Sequence, residues 1–195
     1  MSLHDAFRPY FPTNLLVKYF KKQCKKKLVN AIKYKQETVE KIGFDGFAVL
    51  YILENNGQVY LTGVDEWIDS TKIDKIPKIK TNFCKLVGIK YKQTSFITPN
   101  CFDIYNDLNN LKSFQIENNA SFNDFCLGKL AIFRNTIENI DIVNCIRLSD
   151  EGLTSLHRFK KLKRLGLYNM NLSPRVKHYL SLLEKHNNVI VDGID

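Results

Sequence analysis

The stretch "IENIDIVNCIRL", residues 137–148, has three counterparts elsewhere in the chain, and this recurrence constrains the fold more than any other feature. "LVGIKYKQTSF" begins at Leu86, "LKSFQIENNASF" at Leu111 and "LKRLGLYNMNL" at Leu162. The starts lie 25, 26 and 25 residues apart. Each copy is apolar at its first, fourth and sixth places: Leu86/Ile89/Tyr91, Leu111/Phe114/Ile116, Ile137/Ile140/Ile142 and Leu162/Leu165/Leu167. The ninth place holds Thr94, Asn119, Cys145 and Met170. An apolar residue at every second position predicts a strand with one buried face.

A single repeat of this size cannot bury its apolar face alone, so copies must stack. The pattern fits the leucine-rich-repeat template, whose period is roughly 20–29 residues. The expected fold is α/β: a short leucine-rich-repeat solenoid of about four strand–helix repeats. It has a parallel sheet, a helical N-terminal cap and a basic N-terminal arm. The ninth place turns the chain inward, where an Asn amide satisfies backbone groups and a Cys acts as a compact apolar filler. Cys145 is therefore expected to be structural, not a catalytic thiol. Ser149-Asp150 then reads as the N-cap of a return helix, with Asn123-Asp124 and Ser173-Pro174 as its equivalents.

The chain ends need closing elements, because terminal strands expose backbone and apolar surface. Residues 174–187 read as a helix with Val176, Tyr179, Leu180 and Leu183 on one face, and Val189-Ile190-Val191 as a last strand. On the other side, residues 44–54 read as a helix ended by Asn55-Asn56-Gly57, followed by a strand over 58–62 and a connecting loop over 71–80. The expected division is a basic arm over 1–35, a cap over 36–85, and repeats with their C-terminal cap over 86–195.

Charge is concentrated at one end. Residues 1–35 hold nine basic side chains against Asp5 alone, so eight of the nine net positive charges lie there. Any argument for nucleic acid or a lipid surface must rest on that arm. Within it, Leu16, Tyr19, Phe20, Cys24, Leu28 and Ile32 share a helical face opposite Lys18, Lys21, Lys22, Lys25, Lys26 and Lys27. Four readings stand open: an import signal, a helix docked on a partner, a helix held by anionic lipid, and plain solvated lysines. Tyr19, Phe20 and Tyr34 interleave with lysine, as in RNA-binding arms, but no folded stacking platform accompanies them, so nucleic acid is not expected as a partner.

Enzymatic signatures are missing. There is no phosphate-binding glycine loop, no Gly-x-Ser-x-Gly elbow and no His-Glu-x-x-His. Five scattered cysteines with no Cys-x-x-Cys pair read as reduced thiols, and four histidines do not join them at zinc-ligand spacing. No metal, cofactor or catalytic residue is expected. No apolar run reaches the ~18 residues of a membrane span.

In "IKYKQETVEKIGFDGFAVLYILENNGQVYLTGVDEWID", the order Gly43, Asp45, Ala48, Leu53, Gly57, Val59-Tyr60, Gly63, Trp67, Asp69 resembles the region before the repeats in a known family. That family comprises mitochondrial ATP synthase subunit s, also called coupling factor B, and the distal membrane arm assembly component of respiratory complex I. Phe102-Asp103, "DFCLGKL" and "NCIRLSDEGLTSLHRFKKLKRLGLYNM" continue the resemblance in order, which spans residues 32–195. The resemblance implies a non-catalytic protein on the matrix side of the mitochondrial inner membrane, peripheral to it. Its partners would be subunits of ATP synthase or complex I, bound as a permanent accessory subunit or during assembly. The first 30 residues have no family counterpart, and Met170 stands where the last repeat would have Cys.

The expected docking surface is the outward side of the strands: Lys90 and Lys92, Gln115 and Glu117, Asp141 and Val143, Gly166 and Tyr168. Trp67 is a candidate anchor if exposed, or a buried plug of the cap. A rival reading is a substrate adaptor of a ubiquitin ligase, since such repeats occur there and "YFPTNLLVKYF" faintly resembles the start of an F-box.

Overall fold

The computed structural model describes residues 39–40, 43–75, 85–93, 95, 97 and 99–194. The chain packs as two units, Met1–Lys41 and Ile42–Asp195; the basic arm, with its six singled-out lysines, lies outside the described residues. The second unit is α/β and built on one six-stranded sheet: β1 (Gln58–Leu61), β2 (Leu86–Tyr91), β3 (Ser113–Glu117), β4 (Asn139–Val143), β5 (Arg164–Tyr168) and β6 (Ile190–Asp192). Their order in the sheet is their order in the chain; β1 runs antiparallel to β2 and all other pairs are parallel. Among the described residues four α-helices accompany it: α1 (residues 43–54), α2 (Asp124–Leu130), α3 (Asp150–Thr154) and α4 (Pro174–Asn187). No helix among the described residues is long and apolar enough to cross a membrane.

The repeat spacing sets the strand register. Ile89, Phe114, Ile140, Leu165 and Val191 pair in one row across the sheet, and Tyr91, Ile116, Ile142 and Leu167 in the next. These are the fourth and sixth places, and they are buried, as are the first-place residues Leu86, Leu111, Ile137 and Leu162. At the β2–β3 end the filling is aromatic: Phe114 lies about 6 Å from the rings of Tyr91, Phe102 and Phe122. Edge and tilted ring packing of this kind adds to the area term.

Each of β3, β4 and β5 is followed by an asparagine with a left-handed backbone: Asn118 (φ 52°), Asn144 (φ 48°) and Asn169 (φ 52°). Asn tolerates that conformation better than other residues with a Cβ. The turn lets the Asn118 and Asn144 N–H groups donate to the Val143 and Tyr168 carbonyls of the following strands. The next residue carries the inward position. Asn119 is buried and donates to the Lys92 and Ser95 carbonyls while accepting from the Ser121 and Phe122 N–H groups. Thr94 lies outside the described residues.

The helix caps fall where the polar pairs fall. Asn123, Ser149 and Ser173 accept from the backbone N–H groups of Cys126, Gly152 and Val176. A second set of bonds links one repeat to the next. Asp124 accepts from both the N–H (2.9 Å) and the hydroxyl (2.6 Å) of Ser149, and Asp150 accepts from the Ser173 hydroxyl at 2.5 Å.

The first repeat returns through a 3-10 helix, Pro99–Tyr105, whose three residues per turn put Phe102 and Tyr105 on one inward face. Two expectations need correction. Part of the expected 71–80 loop is a 3-10 helix, Ser70–Lys75, begun by Asp69, which accepts from the Thr71 N–H and hydroxyl. The remainder of that loop lies outside the described residues. The last strand starts at Ile190, one residue later than read; Val189 lies buried between it and the left-handed C-cap Asn188.

The hydroxyls of Tyr91 and Tyr105 hydrogen-bond each other inside the core, where burial pushes both phenols well above their ordinary range. Tyr91→Phe alone should cost about 1–3 kcal/mol, because it strands the other hydroxyl. Replacing both tyrosines by Phe should cost less than the sum of the single changes. Urea midpoints of the three variants check this, and a double variant as costly as the sum would contradict it.

Candidate functional site

Alternation leaves the third, fifth and seventh places of each repeat on the open side of the sheet. The central row reads Lys90, Gln115, Asp141, Gly166, Asp192, with Gln58 of β1 opposite Lys90. The row on one side is Gly88, Ser113, Asn139 and Arg164; on the other, Glu117, Val143 and Tyr168. Apart from the covered glycines and the exposed Arg164, these side chains are half-buried, and Lys92, just past β2, is exposed.

The charges pair across strands. Lys90 meets Glu117 at 2.5 Å. Arg164 donates from Nε to Asp192 at 2.8 Å and from Nη2 to the Tyr168 hydroxyl at 3.1 Å, and its Nη1 stands 3.5 Å from Asp141 Oδ1. Asp141 Oδ1 is buried and is the one such side-chain oxygen or nitrogen, among the described residues, with no hydrogen bond. Burial pushes the Asp141 carboxyl above its ordinary value, and the Arg164 charge only partly opposes this.

Aromatic rings flank the charged row. Trp67 lies over Gly88, where a Cβ would stand 2.8 Å from the indole, and packs against Tyr60 with ring centroids 5.6 Å apart. It is half-buried at the β1–β2 end of the open face, neither sealed in the core nor projecting freely. Tyr168 folds over Gly166 and Gly193 in the same way at the other end.

Both edge strands have an outward backbone group engaged. Val59 and Ile68 exchange two backbone hydrogen bonds along β1, at 2.8 and 2.9 Å. On the outer side of β6, the Val191 N–H donates to the Glu184 carboxylate at 3.1 Å. The edges are thus partly blunted against an added strand, and the face is the larger opportunity for a partner.

Cys145 sits away from this face, fully buried, its thiol within 3.6 Å of the Val143 carbonyl. Burial pushes the thiol up, the opposite of what a nucleophile needs. A cleft of about 430 Å3 opens nearby, lined by Ile146, Leu148, Leu153, Asn169, Met170 and Leu172. Its one carboxylate, Asp150, already accepts from Ser173. Among the described residues no group of His, Cys, Asp and Glu is placed to hold a metal ion. No model of a known protein family matches the chain.

The structure thus brings Lys90, Gln115, Glu117, Asp141, Val143 and Tyr168 together on one surface, with Trp67 at its margin. Sequence reasoning overlooked Arg164 and Asp192, which organise the acidic half. Arg164 was legible by parity, since the third place faces the same way as the fifth. Asp192 was not, because its alignment depends on where β6 starts.

A pH measurement isolates Asp141. A raised folded-state pKa means the folded chain holds its proton more tightly than the unfolded chain. The group's contribution therefore falls as pH rises from the unfolded value through the folded one. Asp141→Asn should show a higher thermal midpoint than the parent at neutral pH, with the advantage gone in strong acid. A lower midpoint at neutral pH would show that Arg164 outweighs burial.

Proposed function

We propose that this chain is a non-catalytic scaffold that docks a protein partner on the open face of its sheet. The fold is proposed to be a short leucine-rich-repeat solenoid, which the four in-register repeats support. The resemblance of residues 32–195 assigns it to the matrix side of the mitochondrial inner membrane. There it serves ATP synthase or complex I, as an accessory subunit or as an assembly factor of the complex I membrane arm. The observation that carries the docking role is the open face itself: a half-buried row of paired charges between two aromatic margins. Paired charges of both signs suit a shaped protein surface better than a uniform polyanion.

Native-gel separation of solubilised mitochondria tests this reading. Co-migration with ATP synthase or mature complex I is expected of an accessory subunit, and co-migration with smaller intermediates of an assembly factor. Absence from mitochondria would overturn the assignment and favour the ubiquitin-ligase adaptor.

A further inference from the structure

We propose that the rim of the sheet where the chain enters β3, β4, β5 and β6 is a docking surface for an anionic lipid bilayer. This rests on the peripheral membrane location proposed above and names the surface that meets the membrane. Outside the basic arm the chain carries a net charge of only +1, so the sequence assigns any lipid contact to the arm. The fold segregates those remaining charges. The segments leading into the four strands, residues 106–112, 134–138, 157–163 and 184–189, hold seven lysines and arginines against three carboxylates, a net charge of +4. All seven cations are exposed.

Backbone hydrogen bonds stack these segments into one continuous strip. The Glu138 N–H donates to the Lys112 carbonyl, the Lys163 N–H to the Glu138 carbonyl and the Ile190 N–H to the Lys163 carbonyl, each at 2.8 Å. The Lys160 N–H donates to the Arg134 carbonyl at 2.9 Å, which sets two cations on adjacent loops. Two of the carboxylates are engaged: Glu138 by Lys163 at 2.5 Å and Lys112 at 3.4 Å, and Glu184 by the Val191 N–H. Arg134, Arg158, Lys160 and Lys161 make no ion pair or side-chain hydrogen bond among the described residues.

The strip suits a bilayer better than other polyanions. Five of its seven cations are lysines, mobile point charges that follow a fluid array of headgroups, not fixed forks that read one bound phosphate. Phe133 and Phe159, the phenylalanines beside it, are buried, so nucleic-acid bases find no phenyl ring to stack on. Ile190, 63% exposed at the end of the backbone ladder, adds an apolar contact of the kind that interfacial binding uses. The strip lies at the strand ends and leaves the open face to a protein partner.

The test uses the full chain and its sedimentation with vesicles of equal parts phosphatidylcholine and phosphatidylglycerol. Lys160→Glu with Lys161→Glu should lower the partition coefficient about twentyfold or more, each lysine at a charged surface being worth roughly fivefold. Arg175→Glu with Lys177→Glu, exposed in the first turn of α4 near the opposite ends of the strands, makes the same change in net charge. That control should bind within about twofold of the parent, because charges beyond ~10 Å are screened. Any contribution of the basic arm cancels between the two variants. Equal losses in both, unchanged binding of the strip variant, or a loss seen with polyglutamate or oligouridylate but not with vesicles would overturn the proposal. Vesicle binding through the strip by a chain absent from mitochondria would leave this surface standing and sink the mitochondrial location alone.

Discussion

Asn119→Ala is expected to destabilise the folded unit by about 3 kcal/mol or more, the largest single polar effect among the described residues. The amide serves four backbone groups at once: the Lys92 and Ser95 carbonyls and the Ser121 and Phe122 N–H groups. The site is dry, with Asn119 only 1% exposed. Removing the amide strands all four groups, each at roughly 1–3 kcal/mol if no water replaces it. Cys145 occupies the same place one repeat later and makes one long thiol contact, to the Val143 carbonyl at 3.6 Å. Cys145→Ala should therefore cost about 1–2 kcal/mol, mostly as a small cavity. Urea unfolding of the two variants gives the comparison. Equal costs would mean that the ninth place is held by volume and not by hydrogen bonding.

The second large effect is one that a second substitution removes. Gly152 is the third residue of α3, and a Cβ there would stand 2.0 Å from Asp124 Oδ1 and 2.5 Å from its Cγ. Asp124 cannot swing away without losing the Ser149 N–H and hydroxyl, the two bonds that tie repeat to repeat. Gly152→Ala should therefore cost about 2–3 kcal/mol, the value of those charge-assisted bonds. In an Asp124→Ala background the carboxyl is gone and only the Cβ of position 124 remains close, at 3.2 Å, a contact that a shift of a few tenths of an ångström relieves, set against a helix preference for Ala over Gly of roughly 0.5–1 kcal/mol. The same substitution should then be close to neutral. Thermal midpoints of the four proteins read this directly. A Gly152→Ala penalty that persists without Asp124 would place its cause in the backbone of α3 instead.

What was legible in the sequence was local. Alternation at the fourth and sixth places marked β2 to β5, and the short polar side chains of Asn123, Ser149 and Ser173 marked three helix starts, because both depend on residues close in the chain. The αL asparagines at 118, 144 and 169 were also legible, since they recur at the eighth place. The open face was legible as a list of outward residues. Its pairing was not: Arg164 reaches Asp192 across a chain separation of 28 residues, and only the strand register brings them together. The position of Trp67 over Gly88 depends on the Val59–Ile68 pairing, which no pattern in the sequence announces. The Asp124–Ser149 bonds escaped for the same reason, since each half reads as an ordinary cap residue.

The central claim is that the open sheet face binds a protein partner, and one substitution addresses it most directly. Gln115→Arg places a bulky cation in the middle of the central row, beside Asp141, on a half-buried outward position. Phe125→Ser, on the helix side and 77% exposed, serves as the control. Both chains should keep the parent thermal midpoint to within about 0.5 kcal/mol of stability. Co-migration with the proposed mitochondrial complex should then be lost for Gln115→Arg and kept for Phe125→Ser. Retention by Gln115→Arg with loss by Phe125→Ser would contradict the account and move the docking surface to the helices.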